Sequence, residues 1–188
     1  MEPSAVLDFW FDPRIDEPLY VREEWFRKSD SFDGEIRARF APEIELALSG
    51  RLDDWSATRQ GALALILLLD QFTRNVFRET PRAFSGDIAA LSHARALVYS
   101  GRDREFAPIE RWFVYMPFEH AENLVDQYES VRLFQSLAEA GLADPLTWAV
   151  KHFEVIRRFG RFPHRNAVLG RASTVEEAEF VAQPGSRF

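Results

Sequence analysis

From Ala62 to Leu69 eight consecutive residues are apolar. No other unbroken apolar run in the chain is longer. Thr58 stands in front of it as a helix N-cap, and helical spacing extends from Arg59 to about Val76. The stretch Leu63, Leu65, Ile66, Leu67, Leu68 and Leu69 leaves that helix no polar face. A helix apolar all round is a buried one. The run is far shorter than the ~20 residues that cross a bilayer, so its apolar surroundings must be other parts of the same protein.

At 188 residues the chain is long enough to surround such a helix with one domain, 1–188. Its apolar fraction of 46% is that of a globular protein, and 17 Phe with 5 Trp predict a core built from large rings. The net charge of −7 disfavours non-specific binding to nucleic acid or to anionic membranes. With no cysteine, disulfides, thiolate catalysis and Cys-ligated metals are excluded. Glu2 occupies the region where a secretory signal would carry Lys or Arg. A cytoplasmic protein with no membrane partner is expected.

Punctuation around the central helix predicts more helices. Ser4 caps a short one through Phe11, ended by Asp12-Pro13, and a loop follows to Pro18. A second runs from about Val21 to Lys28. Asp30 or Ser31 opens a third, which Pro42 breaks or kinks, and Gly50 closes the segment after it. Later helices are expected over about 87–99, from Pro108 to before Pro117, over about 119–140, and from Asp144-Pro145 to Gly160. Ser173 or Thr174 with Glu176 or Glu177 forms a capping box for a last one. No segment alternates with period two, so the expectation is an all-α fold of about eight helices in stacked antiparallel pairs.

Three segments could carry chemistry. Asp70 and Arg74 stand at i, i+4 at the end of the buried helix, as do Gln71 and Asn75. Polar groups there need partners, and a structural network tying helices together is expected to supply them ahead of a ligand. The second segment, Glu119 to Gln127, contains His120, Glu122 and Asp126. Read as a helix N-terminus, it stacks Glu122 on Asp126, a weak signal for a hard divalent ion or for an arginine between them. His120 and Glu122 are two residues apart and do not match the His-Glu-x-x-His zinc pattern, so no metal is assigned. The third segment holds Arg157, Arg158, Arg161, His164, Arg165, Asn166 and Arg171. Arg158, Arg161, Arg165 and Arg171 exceed what one helix C-terminus needs, and guanidinium forks suit carboxylate or phosphate. Their partners are either the acids of 119–126 or an anionic ligand.

These blocks resemble a bacterial family labelled domain of unknown function 924. The resemblance rests on Val6-Leu7-Asp8-Phe9-Trp10-Phe11, Trp25-Phe26, Leu69-Asp70-Gln71-Phe72-x-Arg74-Asn75 and Pro81-Arg82-Ala83-Phe84. It continues through Met116-Pro117-Phe118-x-His120-x-Glu122, Phe159 to Asn166 and Leu169-Gly170-Arg171. Thr73 departs from the usual Pro of that pattern, and Ala121 from its Ser. The resemblance implies a tetratricopeptide-like, right-handed arrangement of helix pairs and implies no reaction or cofactor.

The expectation for function is a polar pocket for a small anionic ligand or ion. His120, His164 and Glu122 are the candidates for acid–base work. Asp70, Gln71, Arg74, Asn75, Arg82, Asp126, Arg158, Arg161, Arg165, Asn166 and Arg171 are the candidates for binding. The rival expectation is a helical module that binds a protein or peptide, with the same polar residues serving as structural glue.

Overall fold

The computed structural model describes residues 1–14 and 19–186. The predicted loop to Pro18 lies partly outside them. The helices are α1 (Pro3–Phe11), α2 (Asp30–Leu48), α3 (Arg59–Ile66), α4 (Thr73–Val76), α5 (Asp87–Tyr99), α6 (Pro108–Glu119), α7 (Leu124–Glu139), α8 (Asp144–Phe159) and α9 (Val175–Val181). A π-helical turn, Leu67–Phe72, joins α3 to α4 without a break, so these form one helix over 59–76. With that helix counted once there are eight, and there is no strand among the described residues.

The central helix is surrounded because it has no polar face to offer solvent. Residues Leu63 to Leu68 are all 0% exposed. Helices α1, α5 and α6 pack on α3, while α2 packs on the π turn and α4. Thr58 caps α3 as expected, accepting from the Gly61 N–H at 3.0 Å. Gly61 is required there, since a Cβ would lie 2.1 Å from the Trp55 carbonyl oxygen.

The ring-rich core is a cluster around Trp10. Its indole stacks on Trp25 at 5.9 Å and meets Phe113 edge-on at 5.4 Å. Phe9, Phe32, Phe40 and Phe72 extend the cluster. Each such pair adds about 0.5–1.5 kcal/mol beyond area burial. Trp25 also donates to the Trp10 carbonyl, which locks the only regular part of the predicted 21–28 helix, a 3-10 turn over Glu23–Trp25.

Several local expectations fail for identifiable reasons. Pro3, not Ser4, opens α1, and Glu2 makes no side-chain cap. Ser29, one residue earlier than expected, caps α2 by accepting from Phe32 N–H. Pro42 does not break α2, which runs on through it, and Pro117 sits inside α6, past the expected end of that helix. Burial of Ile44 and Ala47 beyond the first proline, and of Phe118 beyond the second, outweighs the missing backbone bond. The predicted 119–140 helix therefore divides: Glu119 ends α6, and Asn123 caps α7 by accepting from the Val125 and Asp126 N–H groups. α6, α7 and α8 pack on one another in chain order through short connections.

Candidate functional site

The π turn sets the first part of the site. It directs Asp70 inward, where the residue is 0% exposed, and Gln71 alongside. A widened turn leaves backbone carbonyls to be satisfied by side chains, and such turns recur at functional sites. Here Thr73 Oγ1 donates to the Leu69 carbonyl at 2.7 Å, and Arg74 Nη1 donates to the Asp70 carbonyl at 2.6 Å. Gly86 closes on the same turn, because a Cβ there would lie 2.2 Å from the Leu69 oxygen.

Asp70 reaches across to the end of α6. Its Oδ1 lies 2.7 Å from His120 Nδ1 and 3.2 Å from Arg74 Nη1, and Oδ2 accepts from Gln71 Nε2. Burial alone would push the Asp70 carboxyl up, but Arg74, His120 and Gln71 together hold it below the usual carboxylate range. An ionised Asp70 can only accept, so His120 Nδ1 carries a proton. Burial and then Arg74 push the His120 imidazolium down, against the pull of Asp70. The neutral ring accordingly keeps a lone pair on Nε2, the arrangement of a general base oriented by a carboxylate.

His120 is held by the turn between α6 and α7. Gln127 Nε2 donates to the carbonyls of Phe118, Glu119 and Ala121, closing the exposed end of α6. Beside it, Glu119 Oε1 lies 3.1 Å from His152 Nδ1, which donates to the Trp148 carbonyl at 2.9 Å. The His120 and His152 rings are 6.2 Å apart.

The third segment brings in Arg165. Gly160 ends α8 in the left-handed conformation (φ 71°), and Pro163–Arg165 forms a 3-10 turn. That turn places the Arg165 guanidinium 4.8 Å over Phe84 and 4.5 Å over Phe162, with the side chain 7% exposed. Its hydrogen bond among the described residues is a 3.3 Å contact from Nη1 to Asp87 Oδ2. Asp87, in the first turn of α5, is already held by both Nη atoms of Arg74, at 2.9 and 3.2 Å. The Arg165 Nε is buried without a partner among the described residues. Burial, then the neighbouring Arg74 charge, push Arg165 down to about 10. His164, next in the turn, is pushed down to about 3 by burial first and Arg165 second.

Other predicted residues lie elsewhere or are fully engaged. Glu122 and Asp126 do not stack: Glu122 takes both Nη atoms of Arg171 and the Phe162 N–H, while Asp126 pairs with Arg95. The idea of a metal between them fails because Asn123 starts a new helix between the two acids. Burial pushes Glu122 up, but Arg171 and Phe162 hold it below its ordinary value. Arg161 and Asn166 are bound to Glu177, the capping-box residue of α9. Arg158 pairs with Glu176 at the surface, Arg82 with Glu45, and Asn75 with Asp33, so none of these reaches His120 or Arg165. Gln71, by contrast, touches Asp70 directly.

The model of a family described as a bacterial protein of unknown function, DUF924, matches residues 6–185. This chain belongs to that family. A solved structure of a protein of unknown function, ATU0120 from Agrobacterium tumefaciens, is 35% identical, with 96% of each chain covered and a TM-score of 0.83. No curated protein matches.

In this DUF924 protein the structure links Asp70, Arg74, His120 and Arg165, from three sequence segments, with Arg74 bridging Asp70 to Asp87 and Asp87 reaching Arg165. Asp87 reads as an ordinary acid in the first turn of a helix, and nothing in its spacing separates it from others. Phe84 and Phe162, which sandwich Arg165, lie inside the family blocks but read as core residues. His152 likewise reads as an ordinary helix residue, and Glu119 only as the first acid of its segment.

Proposed function

We propose that Arg74, Arg165 and the Asp70–His120 pair form a binding site for a small anion, in which the guanidiniums hold the anion and His120 Nε2 exchanges a proton with it. The observation that carries this reading is Arg165. A buried guanidinium whose Nε has no partner, and whose one bond goes to an acid already shared with Arg74, leaves its donor edge under-used. A carboxylate or phosphate would satisfy that edge in the flat, two-pronged geometry that arginine favours. The flanking Phe84 and Phe162 rings fix the plane of the fork before any ligand arrives, which lowers the ordering cost of binding. On this reading neither Glu122 nor His164 transfers a proton: Glu122 is engaged with Arg171, and burial keeps the His164 ring neutral.

The same proposal takes the packing of α6, α7 and α8 as right-handed, tetratricopeptide-like pairs, and assigns the cysteine-free chain to the cytoplasm. A thermal-shift screen over phosphates, metabolite carboxylates and divalent ions tests the site. A ligand at 100 times its Kd should add about 2.7 kcal/mol, and Arg165→Ala should abolish that gain. Stabilisation by none of these compounds, or equal stabilisation of the variant, would refute it.

A second reading, a module for a protein partner, is favoured by exposed rings on α7 and α8. Tyr128 stands 59% exposed against Phe153, and Trp148 is 46% exposed. Under this reading Tyr128→Ser and Trp148→Ser would abolish capture of the partner while leaving every ligand-induced shift intact.

A further inference from the structure

A cleft of about 390 Å³ lies where α5, α6 and α7 meet the 3-10 turn Arg102–Glu105. Its volume is that of a small-molecule site. It is separate from the His120 site: Asp70, Arg74, Asp87, His120 and Arg165 do not line it, and α6 contributes Arg111 from its first turns and Tyr115.

Two kinds of surface meet there. Val98, Leu133 and the Tyr115 ring offer apolar area. Against them stand three arginines, Arg104, Arg111 and Arg132, and two acids, Asp103 and Glu139. Most of these charges are committed. Tyr115 donates to Asp103 Oδ2 at 2.6 Å, and Arg132 is held by both oxygens of Glu129. Arg111 is not: among the described residues its Nε is buried without a partner, and Nη2 makes only a 3.4 Å hydrogen bond to the Ser136 carbonyl. Arg104 forms no ion pair among the described residues. A buried guanidinium nitrogen left unsatisfied beside a cavity is a costly arrangement that an anion would relieve. The one under-satisfied buried guanidinium, Arg111, suits a single carboxylate, and the apolar wall selects one with a hydrocarbon tail.

We propose that this cleft is a second ligand site, taking a small monocarboxylate with a short aliphatic chain, its carboxylate on Arg111 and Arg104 and its chain against Val98 and Leu133. The site is independent of the anion site at Arg165.

Titration calorimetry with hexanoate, hexanol and inorganic phosphate tests it. Hexanoate should bind wild-type protein saturably, and hexanol, which lacks the charge, at least about tenfold more weakly. Arg111→Ala should weaken hexanoate by a similar factor while Arg165→Ala leaves it unchanged. Because Arg111→Ala could disturb folding, Ala140→Trp is the second variant: Ala140 lines the cleft from an exposed position, so a large ring there blocks the cavity without touching the core. No heat with hexanoate, equal binding of hexanol, or hexanoate binding unaffected by Ala140→Trp would overturn the proposal. Phosphate displacing hexanoate would also overturn it, because the site would then read charge alone. Loss of hexanoate binding in Arg165→Ala, with Arg111→Ala unaffected, would assign the carboxylate to the other site.

Discussion

Replacing Asp70 by asparagine changes almost no volume and removes one fully buried charge. Three groups lean on that charge: His120 Nδ1 at 2.7 Å, Arg74 Nη1 at 3.2 Å and the Gln71 amide. The hydrogen bond to His120 is charge-assisted and contributes about 1.5–3 kcal/mol. The Arg74 contact adds less, because Arg74 keeps both oxygens of Asp87. An asparagine that still accepts from His120 turns its amide toward Gln71 Nε2, donor against donor, until Gln71 turns over. Removing the charge also removes its desolvation cost, which keeps the sum near the lower end of the 3–5 kcal/mol known for breaking a buried pair. The expected loss is about 3 kcal/mol, equivalent to roughly 6–12 °C in Tm for a chain of this size. Urea unfolding at pH 7, followed by tryptophan fluorescence and by circular dichroism, measures it as a lower midpoint at unchanged slope. A double-mutant cycle with His120→Gln should give a coupling above about 1 kcal/mol. A loss below about 1 kcal/mol, the range of an exposed pair, or a cycle that closes to zero, would refute the account of Asp70 as the anchor of His120.

Acid should weaken the fold early. His164 is held down to about 3, whereas an unfolded histidine titrates near 6.5, so between these values the unfolded chain binds the proton first. Stability then falls as pH drops below about 6.5, by at most about 1.4 kcal/mol per pH unit, and His164→Gln should flatten that limb in a series of urea midpoints. Gly86→Ala should destabilise by about 2 kcal/mol or more through overpacking on the Leu69 carbonyl; a thermal midpoint equal to wild type would contradict the close approach. Pro42→Ala should stabilise by about 2 kcal/mol, since Pro42 is exposed within α2 and lacks the backbone donor; a lower midpoint would show that the proline shapes the helix usefully.

Features decided within a few residues were legible in the sequence. The apolar run 62–69 predicts a helix buried on all sides, and Thr58 and Gly160 mark helix ends, because capping and helix-face hydrophobicity are local properties. Thr174 with Glu177 is likewise readable as a capping box. The motif blocks were enough to suggest the family. Tertiary structure decided the rest. Both internal prolines obey burial and not local preference, so α6 runs past Pro117 and carries His120 to Asp70. Which acid meets which base depends on contacts across long separations: Asp70 with His120, Glu122 with Arg171, Arg165 with Asp87. Charge attraction has no register of its own in a sequence; it is the packing of the helices that chooses among partners. The polar residues were therefore visible one segment at a time, while their linkage through Arg74 and Asp87 exists only in the folded chain.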